Sequence, residues 1–92
     1  MSTNQRFESI WDALEDDPVR VENLKLRAAL LMEITEVITR RELTQQQAAD
    51  ELHISQPRVS ALLKGKINNF RLDSLVDIAH RLGMQVTLNV AA

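Results

Sequence analysis

Residues 44–66, TQQQAADELHISQPRVSALLKGK, constrain the fold more than any other stretch, because their spacing fits two short helices joined by a tight turn. Thr44 and Ser55 are residue types whose side-chain oxygens cap helix N-termini. Behind Thr44, the residues Ala48, Ala49 and Leu52 recur at helical spacing; behind Ser55, Val59, Leu62 and Leu63 do the same. Two alanines at the first buried face let the helices cross closely. That arrangement leaves Gln56, Pro57, Ser60 and Ala61 on the outer front of the second helix, at i, i+1, i+4 and i+5.

A front of this kind, polar and narrow, suits insertion into the major groove of double-stranded DNA, so the spacing predicts a sequence-specific DNA binder. Net charge is −2, which by itself argues neither way. Sorted along the chain, the charges separate. From Leu52 to Leu72 there are four cations, Arg58, Lys64, Lys66 and Arg71, and no acid, whereas residues 1–19 carry five acids against Arg6 alone. Four cations are a small footprint for a phosphate backbone, so binding as a homodimer is expected, with affinity that falls steeply with salt.

Ninety-two residues make one small domain with a modest core, which again favours a second copy. The absence of cysteine removes disulfides, thiolate chemistry and Cys-based zinc sites together. Apolar runs are only a few residues long and the N-terminal stretch carries acids, so neither a membrane segment nor a secretory leader is expected, and the reading is cytoplasmic.

Around the central pair, Phe7, Ile10, Trp11 and Leu14 form one apolar stripe, an amphipathic arm closed by Asp16-Asp17-Pro18 and a surface that a partner could use. Glu22 to Arg41 reads as a longer helix with Leu24, Ala28, Leu31, Ile34 and Ile38 inward. Gly65 is placed to stop the second short helix, Ile67 and Phe70 anchor a polar loop, and Leu72 to Leu82 reads as a last helix stopped by Gly83. Then the period changes to two. Met84, Val86, Leu88 and Val90 alternate with polar residues, the pattern of a half-buried strand. No other segment alternates, so the same strand of a twin is the expected neighbour, pairing antiparallel about a two-fold axis; a partner's strand is the other option. The expected division is an arm at 1–20, a DNA-binding domain at 21–83 and a dimerisation strand at 84–92.

The chain resembles the helix-turn-helix (XRE) family of phage repressors and Cro proteins and, within it, the HigA-type antitoxins of toxin-antitoxin modules. Thr44-Gln45, Ala48-Ala49, Ile54, the run Ser55 to Ser60, Leu62 and Gly65-Lys66 carry the first likeness; the Trp11-Asp12-Ala13-Leu14 arm and the closing strand carry the second. The resemblance implies an all-α, five-helix lambda-repressor-like domain with one C-terminal dimerising β-strand, binding a palindromic operator. It implies that Gln45 contacts a phosphate and braces Gln56, that Gln56 bonds a base edge, and that Ala61 meets a thymine methyl. Ser55, Arg58, Lys64 and Lys66 are expected at phosphates. Pro57 departs from the family's usual polar residue and offers only apolar contact. His53 stands where the family has glycine at a positive φ. The antitoxin likeness further implies a cognate ribonuclease toxin as partner; the alternatives are a stand-alone repressor without a toxin and an adaptor that uses the fold for protein contact.

For catalysis there is no serine beside a base, no paired carboxylates in an evident cleft and no phosphate-cradling loop, so an enzyme is not expected. His53 and His80 lack the spacing of metal ligands, and neither metal nor cofactor is expected.

Overall fold

The structure is a computed structural model and describes residues 17–92. In chain order it contains α1 (Pro18–Arg40), α2 (Gln45–Leu52), α3 (Gln56–Leu63), a 3-10 turn (Ile67–Asn69) and α4 (Leu72–Arg81). The arm residues Phe7, Ile10, Trp11 and Leu14 lie outside the described residues.

Local chemistry sets the helix starts. Asp17 caps α1 by accepting the Arg20 amide at 3.3 Å, and Pro18 occupies the first turn, where its missing N–H leaves nothing unpaired. Asp17-Pro18 therefore opens a helix where it was expected to close one, and α1 begins before Glu22. Thr44 and Gln47 form a reciprocal capping box at α2: Thr44 Oγ1 accepts the Gln47 amide at 3.1 Å, and Gln47 Oε1 accepts the Thr44 amide at 2.9 Å.

One device sets the stops. Glu42, His53, Gly65 and Gly83 each adopt a positive φ, of 56°, 57°, 72° and 82°. The residue after each sends its amide back to a carbonyl five residues earlier: Leu43 to Ile38, Ile54 to Ala49, Lys66 to Ala61 and Met84 to Ala79, at 2.9 to 3.2 Å. These left-handed reversals satisfy helix-end carbonyls that would otherwise be orphaned. Leu43, Ile54 and Met84 then fold half-buried against the core, so each reversal also contributes apolar contact.

All four helices feed one core, in which Ile34, Ala48, Val59, Leu62, Leu75 and Ala79 are fully buried and Phe70 nearly so. Ala48 of α2 is fully buried, and a methyl there takes up less room than a larger side chain would. Two arginines, Arg27 within α1 and Arg41 at its C-cap, fasten neighbouring elements. Arg27 donates to the carbonyls of Ile67 and Phe70 at 3.3 and 3.0 Å while its Nε bonds Asn23 at 2.7 Å, which pins the 3-10 turn to α1. Arg41 meets Glu51 of α2 through two parallel bonds of 2.5 and 3.0 Å.

Among the described residues there are four α-helices and no strand, which corrects the expectation of five helices and a closing β-strand. Residues 84–90 carry no ladder hydrogen bonds. Met84 is half-buried as the anchor of the last reversal, but Val86, Leu88 and Val90 are 44, 88 and 78% exposed. Alternation describes one side of a sheet; without a neighbour to share backbone bonds, a single segment does not become a strand.

Candidate nucleic-acid interface

The turn between α2 and α3 brings the N-termini of both helices to one surface. Gln56, the first residue of α3, donates from Nε2 to Oε1 of Gln46 in the first turn of α2, and Gln46 in turn donates from Nε2 to Asp50 Oδ1 at 3.0 Å. All three side chains belong to exposed residues. The brace on Gln56 is therefore Gln46, where Gln45 was expected. Successive helix residues point about 100° apart, so of the three consecutive glutamines only one can face α3. Gln45 is exposed.

Around this pair the expected site residues divide. Gln56 and Pro57 are exposed and Ser60 is half-exposed, on the outward side of α3. Ser55 accepts the Arg58 amide at 3.3 Å, so its hydroxyl oxygen caps α3 while its proton is free to be donated outward. Lys64 and Lys66 follow the end of α3, are exposed, and make no ion pair among the described residues. Arg58 lies on the flank, its guanidinium 4.6 Å from the centre of the Phe70 ring, a cation–π stack that covers the buried aromatic and holds the charge beside α4.

Ala61 is not on the outer front. It is 8% exposed and belongs to the core, whereas Leu63, expected inward, is 38% exposed. The two lie on opposite flanks of the buried stripe of Val59 and Leu62. A single methyl needs little cover, and the chain folds back on the Ala61 side, where Lys66 N–H meets the Ala61 carbonyl. As a reader of a thymine methyl, Ala61 is thus corrected to a packing residue within this chain.

Sequence reasoning passed over Gln46, Asp50 and Arg27. The first two carry a local signal, a Gln and an Asp four residues apart on one helix face, which was not separated from the neighbouring glutamines. Arg27 gives no such signal, since its partners are 40 and 43 residues away. His53 at the α2–α3 turn has Nδ1 3.0 Å from Arg81; a guanidinium can only donate, so this ring nitrogen accepts and Nε2 carries the proton.

Chemically, the surface offers helix N-termini, amide side chains and cations, a set that binds phosphates and base edges. Among the described residues no three His, Asp or Glu side chains converge as metal ligands, and no helix is long and apolar enough to cross a membrane.

The sequence matches the family model of a helix-turn-helix domain over residues 13–91. Among solved structures it is similar to one named as an XRE-family transcriptional regulator, with a TM-score of 0.75 and 30% identity, the alignment covering 79% of this chain and 82% of that one. No curated protein matches.

Proposed function

Because the chain belongs to the helix-turn-helix domain family, and with it to the DNA-binding transcriptional regulators, we propose that it is a repressor whose α3 reads an operator through the major groove. The observation that carries this reading is the pair of helix N-termini locked by Gln46 and Gln56, with Gln56, Pro57 and Ser60 facing outward and Lys64 and Lys66 beside them. In this reading Gln56 contacts a base edge, Pro57 and Ser60 contribute apolar and hydroxyl contacts, and Gln45, Ser55, Lys64 and Lys66 hold phosphates. Arg58 reaches the backbone only from its stacked position on Phe70. The residues from 21 to 83 form the binding domain.

The chain acts as a homodimer on a palindromic site with half-sites roughly 34 Å apart. Its small cationic footprint supports that reading, since two copies double the phosphate contacts. Sedimentation of the free protein and of its complex with DNA gives the stoichiometry directly. The further activity of neutralising a ribonuclease toxin is supported by the likeness of the Trp11 to Leu14 segment to antitoxins; co-purification with the product of an adjacent small basic reading frame tests it, and without such a frame the chain is a stand-alone repressor.

Operator reading is tested by titrating DNA from the promoter upstream of the gene at several salt concentrations. Gln56→Ala should lose preference for the operator over random duplex, while Lys64→Ala should weaken both and lower the salt slope by about one. Equal loss on every sequence for Gln56→Ala would refute its base-reading role.

A further inference from the structure

We propose that Asp50, which lies behind the interface, sets which base Gln56 accepts, by fixing the orientation of two amides in series. The inference rests on Gln56 contacting a base edge and adds the direction of its hydrogen bonds.

A carboxylate can only accept, so the amide of Gln46 must turn its Nε2 to Asp50, as it does at 3.0 Å. Its Oε1 then faces the other way and accepts from Nε2 of Gln56. The lock passes on. Of the two N–H bonds on Gln56 Nε2, one is committed to Gln46, which leaves a single donor beside the Oε1 acceptor. One donor and one acceptor match adenine, which shows N7 as acceptor and N6–H as donor in the major groove. Guanine shows two acceptors there, N7 and O6, and asks for two donors that Gln56 no longer has. Asp50 thus excludes guanine without touching DNA.

Asp50→Asn is nearly isosteric and removes the lock, because an asparagine amide can donate to Gln46 Oε1 as readily as it accepts. Gln46 is then free to turn its Nε2 toward Gln56 Oε1, releasing both Gln56 N–H bonds for guanine. Loss of a negative charge will raise affinity for all DNA, so the readout is the ratio of adenine to guanine, not the affinity itself. In Gln46→Glu combined with Asp50→Asn the carboxylate moves to position 46 and accepts from both neighbours, which restores the lock at unchanged net charge.

The experiment is selection from a random duplex pool with the wild type and these variants, followed by affinity measurement on paired duplexes differing at the base that Gln56→Ala renders indifferent. The wild type should prefer adenine there by about tenfold or more, Asp50→Asn should bring the two bases within about threefold, and the double variant should recover the preference. If Asp50→Asn keeps the wild-type ratio while Gln56→Ala abolishes it, the relay is wrong and base reading by Gln56 stands. If Gln56→Ala alters no position, both fall. A wild-type preference for guanine at the Gln56-dependent position overturns the relay alone. Matching thermal unfolding of the variants establishes that each is folded.

Discussion

Four residues carry the left-handed conformation that ends the helices, and only two of them are glycine. Glu42 and His53 pay for a Cβ at φ of 56° and 57°, a conformation that costs an ordinary residue about 1 to 2 kcal/mol. Glycine removes that cost but adds freedom to the unfolded chain, worth up to about 1 kcal/mol, so the net gain is the smaller difference. Glu42→Gly is the cleaner test, because no hydrogen bond to its side chain appears among the described residues, whereas His53 also meets Arg81. It should stabilise the protein by a few tenths to about 1 kcal/mol in urea unfolding. Gly83→Ala should do the reverse by about 1 kcal/mol, although a Cβ there would meet nothing within 4 Å. Stabilisation by Gly83→Ala would show that space, and not backbone strain, governs this position. Gly65 and Gly83 were legible as helix stops because glycine advertises a positive φ. Glu42 was not, since nothing in glutamate marks it, and the reversal is visible only once Leu43 is seen to need the core.

At the scale of elements, the junctions between helices rest on a few long side chains. Arg41 holds Glu51 with two hydrogen bonds, and these keep the Glu51 carboxyl below its ordinary 4.5 even though partial desolvation pushes the other way. A carboxyl whose folded value is depressed stabilises the fold above the unfolded value and loses that contribution as pH falls through the folded one. Glu51→Gln should therefore lower the melting temperature slightly at neutral pH, and the gap from wild type should close as the solution is acidified from 4.5 downward. A gap that persists undiminished in acid would mean that the contact acts by packing and not by charge. High salt should shrink it too, since the pair is partly exposed. The same scale decides the interface. The Thr44 and Ser55 caps were readable from residue type, but the reciprocal bond of Gln47 was found only in the structure, and the choice of Gln46 over Gln45 depends on how α2 is rotated against α3, which the glutamine run leaves open.

For the whole molecule, one shared core means that a defect in any helix is felt by all. Leu62 is fully buried and Leu63, its neighbour, is 38% exposed. Leu62→Ala should cost about 2 to 5 kcal/mol, a large part of the stability of a chain this small, and lower the melting temperature by about 10 °C or more. Leu63→Ala should cost well under half of that. Comparable losses would place Leu63 in the core and return α3 to the orientation that its apolar spacing suggests. The contrast bears on the same helix that keeps Gln56 and Pro57 exposed and Ser60 half-exposed.

By itself the sequence determined what depends on neighbours within one or two turns: the helices, the Thr44 and Ser55 caps, the glycine stops, and the acid-free basic stretch from Leu52 to Leu72. Those interactions are closed by short loops of chain, so the residues that make them sit together in the text. The tertiary structure alone decided what requires elements to meet: Arg27 on the carbonyls near residue 70, the inward flank of Ala61, and Gln46 as the brace on Gln56. It also decided that residues 84–90 do not form a strand here. Their alternation prepares two faces, but a strand exists only where a second backbone supplies its hydrogen bonds, and a local pattern cannot provide one.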